Sequence, residues 1–364
     1  MPNDWKNFVP HRPLPAGDPL YVKRPEGSGD ELAALVKHGF NLIAVAGPMG
    51  SGKSTELSAA AAKLRSWAMA CEVQLDQHLD MRNVDVDSVY ELIARLLSNM
   101  LGQTRPRAEI ASSQGALSMV SPLVHAPTPI HQRFVAALRE VRRLGSLVLL
   151  VDGLEKSTEE MARRIVNALL DVVEEGSLIV VVPPSLVNGP TSYDLLNRAK
   201  VFPLGAVTKT QEPWTPEMVQ REQNRLFFLF NVADRRLGGL DPLGELFNVV
   251  TSAIELSGGI VRVFLQLLRD AKRYASLVER ETPTKDDLFE AAKDQSEHLE
   301  RLLGPGDIAA LRAADGTNGA EIQPIERRLR FLVHGLLLEY RIDGRTVVHP
   351  APLLNDVLAR KDAA

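Results

Sequence analysis

The stretch GPMGSGKST, residues 47–55, limits the possible folds of this chain more than any other part of its sequence. The apolar run NLIAVA (41–46) before it predicts a buried strand, and the Ala- and Leu-rich run ELSAAAAKLRSWAMA (56–70) after it predicts a helix. A strand, a glycine-rich loop and a helix form the context that a Walker A phosphate-binding loop requires. The match to G-x-x-x-x-G-K-[ST] is carried by Gly47, Gly52, Lys53 and Ser54.

The residue types of this loop point to phosphate binding for a physical reason. Glycines let backbone N–H groups turn inward around phosphate oxygens, where a side chain would collide, and the following helix adds the positive end of its dipole. We expect Lys53 to reach the β- and γ-phosphates of ATP and the Ser54 hydroxyl to bind Mg²⁺. A glycine-rich surface turn is the alternative interpretation. The predicted nucleotide-binding residues of the loop are Gly47, Pro48, Met49, Gly50, Ser51, Gly52, Lys53, Ser54 and Thr55.

A second acidic element follows in SLVLLVDGLEK (146–156). Its apolar run predicts a buried central strand that ends at Asp152, which is the Walker B position for holding Mg²⁺ directly or through water. Glu155 lies three residues later and is our candidate for the base that activates water against the γ-phosphate. The alternative makes Asp152 an ordinary strand-end residue in a turn with Gly153.

Composition narrows the function classes. The chain has 364 residues, of which 45% are hydrophobic, so its length predicts two or three domains with sizeable cores. A net charge of −4 argues against a strongly basic nucleic-acid binder. The single cysteine, Cys71, excludes an internal disulfide and is typical of the cytoplasm. No apolar run reaches the roughly 18 residues of a membrane span, and the Pro-rich start has no apolar signal core.

The segment YVKRPEGSGDELAALVKHG (21–39) resembles the N-terminal entry of AAA+ and STAND ATPases, with Tyr21, Val22, Arg24 and Glu26 at comparable places. That resemblance implies that Arg24 lies near the nucleotide. DGLEK is similar to the Walker B region of STAND ATPases of the NACHT group. The next predicted strand, SLIVVVPPSLVNGP (177–190), departs from both families, and Ser185 and Asn188 are the only nearby polar candidates for the first sensor position.

Two later segments resemble AAA+ and origin-recognition ATPases. YDLLNRAKVFPLGAV (193–207) is similar to the stretch whose arginine reaches a neighbouring subunit's site, which implies that role for Arg198; an ordinary arginine at a helix end is the alternative. SGGIVRVFLQLLRDAKRYAS (257–276) resembles the helical lid, with Arg262 as the sensor that reaches back to the nucleotide or as a solvated arginine. Apolar residues at helical spacing predict its buried face: Val261, Phe264, Leu265, Leu268 and Ala271. The closing helix of the lid is predicted in 281–294, capped by Thr284.

The C-terminal segment resembles a winged helix. ERRLRFLVHGLLLEY (326–340) predicts a helix, and RIDGRTVVHP (341–350) predicts a hairpin that turns at Asp343–Gly344. Residues 301–364 balance nine Arg and Lys against eight Asp and Glu, which leaves little electrostatic drive toward DNA. Two interpretations are open for Arg327, Arg328 and Arg330: they form a small basic face that binds DNA, or they are an ordinary solvated face. His349 resembles the histidine with which NB-ARC proteins hold ADP; packing or turn chemistry is the alternative.

These segments predict an α/β fold: a P-loop NTPase core with a parallel sheet, a helical lid and a C-terminal winged-helix-like domain. The predicted boundaries are a Pro-rich arm at 1–20, the core at 21–205 with an irregular insertion at 103–131, the lid at 206–299 and the last domain at 300–364. The predicted function is a slow, Mg²⁺-dependent ATPase that acts as a switch toward a protein partner and forms nucleotide-dependent homo-oligomers. A DNA-acting AAA+ ATPase, of initiator or transposition-helper type, is the alternative, and a P-loop kinase is the third hypothesis.

Overall fold

The computed structural model describes residues 5–10, 13–25, 27–104, 129–188, 197–207, 216–241, 244–342 and 345–360. The chain divides into two compact units. One contains Gly29–Ala46 and Glu56–Phe202, and the other contains Met1–Ser28, Gly47–Thr55 and Pro203–Ala364. The domain boundaries expected from the sequence stay predictions.

The first unit is built on a sheet with the strand order β2-β3-β4-β1-β5, in which β1 to β4 run parallel. The strands are β1 Leu42–Ala46, β2 Met69–Gln74, β3 Leu147–Asp152, β4 Ser177–Val181 and β5 Lys200–Pro203. Strands β1, β3 and β4 are buried along their whole length. This burial explains why their sequences are continuous apolar runs, since helices cover both faces of a parallel sheet. The predicted α/β core with a parallel sheet is confirmed.

Helices connect these strands, and those from residue 75 onward share one apolar core with the sheet. They are α1 Ser28–Lys37, α2 Lys53–Leu64, α3 Leu75–His78, α4 Val86–Thr104, α5 Ile130–Leu144, α6 Glu159–Ala168, α7 Leu170–Glu175 and α8 Ser185–Asn188. Tyr90 of α4 stacks on Phe134 of α5 with ring centroids 4.5 Å apart, and its hydroxyl donates to the Ala168 carbonyl at 2.9 Å. The helix expected over 56–70 ends at Leu64, because Met69 and Ala70 pair with β3 as the start of β2.

The second unit contains four longer helices: α9 Pro216–Leu237, α10 Glu245–Leu256, α11 Val261–Leu277 and α12 Lys285–Glu300. The face of α11 that the sequence predicted as apolar is buried at Phe264, Leu265, Leu268 and Ala271. Thr284 caps α12 in a capping box with Asp287, as the sequence predicted. None of the helices in the described ranges has the length and apolar character needed to cross a membrane.

The described part of the N-terminal segment packs against this helical unit. Phe8 is 2% exposed and lies in the same apolar cluster as residues of α9, α10 and α11. The Asn7 side-chain amide donates to the Arg236 carbonyl at 3.2 Å, and the Arg236 guanidinium donates to the Leu20 carbonyl at 3.4 Å. Burial lowers the pKa of Arg236 to about 10. Phe8 of the predicted Pro-rich arm therefore belongs to the core of the helical unit.

The C-terminal segment consists of α13 Asp307–Ala314, α14 Ile325–His334, an antiparallel hairpin and α15 Asn355–Arg360. The hairpin strands are β6 Leu337–Ile342 and β7 Arg345–Pro350. The helix expected over 326–340 is too long, because Gly335 adopts a left-handed conformation at φ 69° and ends α14. Leu337 then pairs with Pro350 as the first residue of β6. The hairpin is present as predicted, and its winged-helix character stays a prediction.

Four interpretations made from the sequence fall on residues outside the described part. They concern Glu26, residues 105–128 of the insertion, residues 208–215 of the connection to the lid, and the turn at 343–344.

We predict that Phe8→Ala destabilises the protein by about 3–5 kcal/mol, because the truncation leaves a cavity in the helical core. Urea unfolding followed by circular dichroism measures the loss. The neighbouring Val9 is 47% exposed, so Val9→Ala should change the free energy of unfolding by less than about 0.5 kcal/mol. Equal effects of the two substitutions would show that the N-terminal segment does not contribute to the core.

Candidate nucleotide-binding site

The loop between β1 and α2 has a backbone that side chains would obstruct. Gly50 and Gly52 have φ angles of +83° and +99°, a region that other residues rarely adopt. A Cβ atom at Gly47 would lie 2.1 Å from the Leu204 carbonyl oxygen. The loop thus requires glycine by backbone conformation at Gly50 and Gly52 and by close approach at Gly47.

Lys53 is the first residue of α2 and is 5% exposed. Its Nζ donates to the Gly47 carbonyl at 3.1 Å and to the Pro48 carbonyl at 3.0 Å, so the ammonium group lies against the loop. Among the described residues, the hydroxyl of Ser51 is buried and has no hydrogen-bond partner. A positive charge, the N-terminus of a twelve-residue helix and a buried polar group thus meet in one glycine loop.

The remaining loop residues differ in exposure. Met49 is 50% exposed, and Pro48 is buried. Ser54 is half-buried in the first turn of α2, where the sequence predicts a Mg²⁺ ligand. The Thr55 hydroxyl accepts a hydrogen bond from the Leu14 amide at 3.3 Å, which joins the N-terminal segment to this turn.

Arg24 reaches the loop backbone. It is 4% exposed, its Nη2 donates to the Ser51 carbonyl, and its Nη1 lies 3.5 Å from the Gly205 carbonyl. The guanidinium also lies 5.7 Å from the ring centroid of Phe228, a cation–π distance. Arg24, which the sequence predicts as a nucleotide contact, is therefore placed where it supports the shape of the loop.

Arg262 also touches the loop. It lies in the first turn of α11, and its backbone amide donates to the Gly50 carbonyl at 3.1 Å. A Cβ atom at Gly50 would lie 2.5 Å from the Arg262 Cβ atom, so the helix and the loop are in direct contact. This position agrees with the predicted sensor role, which stays a prediction for the side chain itself.

The acidic residues follow β3 at the carboxyl edge of the sheet. Asp152 is the last residue of β3, is 7% exposed, and accepts a hydrogen bond from the Gly153 amide at 2.9 Å. Glu155 is half-buried in a short 3₁₀ turn, Leu154–Lys156. The carboxyl ends of parallel strands share one edge of a sheet, which is where α/β proteins bind their ligands. Strand β1, from which the phosphate loop continues, ends at that same edge.

Sequence reasoning missed an ion pair beside Asp152. Lys156 donates to the carboxylate of Asp76, and a Cβ atom at Gly153 would lie 2.9 Å from an Asp76 carboxylate oxygen. The register pairs Gln74 at the end of β2 with Asp152, which brings the residues after β2 to this edge. An acid two residues beyond the end of β2 is the signal for Asp76, but the helix predicted over 56–70 hides the strand that would make it visible.

Four other predicted residues have defined places. Ser185 is buried in α8, which follows β4, and Asn188 ends the same helix. Arg198 is exposed just before β5, as its predicted contact with a neighbouring subunit requires. His349 of β7 is bonded through Nδ1 to Asp315 at 2.7 Å, which gives it a role within the C-terminal segment. Their predicted sensor or nucleotide roles stay predictions.

The residues fit ATP with Mg²⁺. The cradle of glycines, the buried Ser51 hydroxyl and Lys53 suit a phosphate chain, while Ser54 and Asp152 are oxygen ligands of the type Mg²⁺ takes. In the described ranges no group of three or more His, Cys, Asp or Glu side chains could hold a metal ion.

Comparison with known proteins shows the fold. No protein-family model and no curated protein sequence matches the chain. The solved structure of the Aeropyrum pernix ORC2 protein, described as ADPNP–ADP complexes, matches with a TM-score of 0.50 at 14% identity, covering 99% of each chain. The Walker-type ATPase PABY2304 of Pyrococcus abyssi matches with a TM-score of 0.53 at 15% identity, covering 97% of this chain and 99% of that one. The chain therefore shares its fold with these two solved structures, in agreement with the α/β fold predicted from the sequence.

We predict that Gly47→Ala abolishes most nucleotide binding, because its methyl group would force the loop away from Leu204. Calorimetric titration with ATP measures the loss, and thermal unfolding checks that the protein remains folded. Gly145→Ala is the matched control, since a Cβ atom there meets nothing nearer than 3.9 Å. Wild-type affinity in the Gly47→Ala variant would show that the loop does not form the binding site.

Proposed function

We propose that the protein binds and hydrolyses ATP with Mg²⁺. The observation that supports this most strongly is the loop itself: Lys53 lies against the carbonyls of Gly47 and Pro48, and the loop leaves no room for a side chain at Gly47 or Gly50. Backbone amides and a lysine in this arrangement bind the phosphates of a nucleoside triphosphate. The fold shared with ORC2 and with a Walker-type ATPase agrees with this proposal.

Each residue has a distinct task in this proposal. Lys53 neutralises charge on the β- and γ-phosphates, and Ser54 and Asp152 would hold the metal ion. A bound Mg²⁺ supplies further stabilisation of the charge that develops on the phosphate oxygens. Glu155 orients and deprotonates the attacking water. Arg198, supplied by a second copy of the chain, is proposed to stabilise the same charge in trans.

The nucleotide state would be passed on through the loop backbone. The Gly50 carbonyl accepts from the Arg262 amide, and the Ser51 carbonyl accepts from Arg24. A phosphate chain that binds the loop amides therefore acts on peptide groups already bonded to the helical unit. We propose that this coupling makes the ATPase a switch.

The target of the switch is either DNA or a partner protein, and a different observation favours each. The shared fold with ORC2, of the origin-recognition group that the sequence resembles, supports the DNA-acting alternative better than the protein-partner switch. The contacts of the C-terminal arginines favour the protein partner. Asp307 is 1% exposed and pairs with Arg330 and, at 3.4 Å, with Arg327. Arginines that neutralise a buried carboxylate contribute little to binding phosphates, so we propose that DNA is bound only by assemblies that add many weak contacts.

Lys53→Ala tests nucleotide binding. The variant should lose ATP affinity by at least about 100-fold, because a charge-assisted contact to the phosphates disappears in a buried site. Isothermal titration with ATP and Mg²⁺ measures the effect. Lys63→Ala, in the same helix, removes an exposed lysine paired with Asp30 and should keep wild-type affinity. Equal affinities for both variants would contradict the assignment of residues 47–55 as a phosphate-binding loop.

Glu155→Gln tests the chemistry. The amide keeps the shape of the side chain and cannot accept a proton, so hydrolysis should fall by about 100-fold or more while ATP binding is retained. Phosphate release under saturating ATP measures turnover. Glu160→Gln, on the exposed face at the start of α6, is the control. Turnover that survives in Glu155→Gln would assign the base to another acid.

Solution mass separates the two targets. We predict that the monomer forms no stable complex with duplex DNA at physiological salt, with or without ATP. Light scattering with and without ATP and DNA, together with fluorescence anisotropy of labelled duplex, measures mass and binding in the same samples. ATP-dependent growth in mass with DNA binding supports the DNA-acting ATPase. A monomer under every condition, without DNA binding, supports the protein-partner switch.

A further inference from the structure

The turn that precedes α11 is enclosed on several sides. Gly258 and Gly259 have φ angles of +57° and +81°. A Cβ atom at Gly258 would lie 2.4 Å from Leu338 Cδ1, and one at Gly259 would lie 1.7 Å from the Val207 carbonyl oxygen. The path of the backbone into α11 is therefore set by its neighbours, and one of those neighbours is the C-terminal hairpin.

Tyr340 of β6 is bonded to this turn. Its hydroxyl donates to the Gly258 carbonyl at 2.8 Å, and its side chain is 6% exposed. Burial raises the pKa of Tyr340, so the hydroxyl stays protonated and remains a donor throughout the working pH range. The adjacent Gly259 carbonyl accepts a hydrogen bond from the Val207 amide at 3.0 Å. Both carbonyls of the turn are thus held from outside α11.

The same turn determines where α11 meets the phosphate loop. Ile260 caps the helix, and Arg262 follows within its first turn. The Arg262 amide donates to the Gly50 carbonyl at 3.1 Å, and the two residues are too close for a side chain at Gly50. Only three residues lie between Gly258, whose carbonyl Tyr340 holds, and Arg262, whose amide bonds the loop. A shift of the turn therefore moves Arg262 relative to the loop.

The residue before Tyr340 supports the loop by a second route. The Glu339 carbonyl accepts from the Ala206 amide at 3.4 Å. Next to Ala206, the Gly205 carbonyl lies 3.5 Å from Arg24 Nη1, and Arg24 donates to the Ser51 carbonyl. Two successive residues of β6 thus support two successive carbonyls of the phosphate loop. Tyr340 supports Gly50 through the turn before α11, and Glu339 supports Ser51 through Arg24.

We propose that Tyr340 is a positioning residue for the nucleotide site, which it serves by fixing the Gly258–Gly259 turn and so the contact of Arg262 with Gly50. The inference rests on the proposed ATPase function and names a residue of the C-terminal hairpin as part of its support. It also explains how a partner bound to the hairpin could alter ATP turnover without touching the nucleotide.

The first test compares two tyrosines with matched hydrogen bonds. Tyr340→Phe removes the bond to Gly258, and Tyr90→Phe removes a bond of similar length, from another buried tyrosine to the half-buried Ala168 carbonyl in the other unit. We expect Tyr340→Phe to lower kcat/KM for ATP about threefold to tenfold, the effect of one buried hydrogen bond. Tyr90→Phe should lower the melting temperature to a similar extent and leave kcat/KM within about twofold of wild type. Equal kinetics in the two variants would overturn the proposal.

The second test asks whether Tyr340 acts through Arg262. In an Arg262→Pro background, which has no amide proton to donate to Gly50 and lies in the first helical turn where proline is tolerated, Tyr340→Phe should cause less than about a twofold further loss in kcat/KM, since interacting residues are not additive. A further loss as large as that in the wild-type background would contradict the proposed route.

The third measurement needs no ATP turnover. Hydrogen exchange of the Arg262 amide, in full-length protein without nucleotide, should quicken about threefold to tenfold in Tyr340→Phe and stay unchanged in Tyr90→Phe. Unchanged exchange in Tyr340→Phe would overturn the positioning role. A wild-type protein that neither binds nor hydrolyses ATP would contradict the proposed function, while the exchange result would still decide the role of Tyr340.

Discussion

The structure depends on the close packing of the phosphate loop against backbone from other parts of the chain. Gly47 approaches the Leu204 carbonyl so closely that a methyl group would stand 2.1 Å from its oxygen, and Gly50 meets Arg262 in the same way. Hydrogen bonds to the Gly50 and Ser51 carbonyls then tie the loop to α11 and to Arg24. The loop is therefore a packed element whose conformation is set on several sides, and a ligand that binds it acts on everything bonded to it.

Buried charges in this protein mostly serve the backbone. Arg24, Lys53 and Arg236 are each about 5% exposed or less, and each donates to main-chain carbonyls. Burying a cation is unfavourable unless hydrogen bonds replace its water, so these groups hold particular peptide units in place. In the C-terminal segment the buried group is an anion, the carboxylate of Asp307, and it forms ion pairs with Arg327 and Arg330. A charge count over 301–364 could not distinguish arginines used in this way from arginines free to meet DNA.

Much of the fold and part of the site follow from local patterns. The buried strands at 42–46 and 147–152, the loop between β1 and α2, the apolar face of α11 and the Thr284 cap all agree with the sequence. The sequence predicts the wrong element where a helix-ending glycine or a strand pairing interrupts apolar residues that continue at helical spacing. Apolar residues continue past Gly335, yet its left-handed conformation ends α14 and the pairing of Leu337 with Pro350 makes the rest a strand. The sequence also places Met69 in a helix. Its pairing with Leu147 in the strand depends on a distant residue, so no local pattern reveals it.

The sequence by itself determined where the glycine loop lies and that Asp152 ends a buried strand, because those residues follow one another along the chain in a pattern that only a few conformations satisfy. The tertiary structure alone decided what holds that chemistry in place. Arg24 and Ser51 are 27 residues apart, and Tyr340 and Gly258 are 82 residues apart, and each pair meets through a single backbone carbonyl. A carbonyl is common to all residues, so nothing in the side chain at Ser51 or Gly258 marks it as a partner. Such contacts become visible only when packing brings distant segments together.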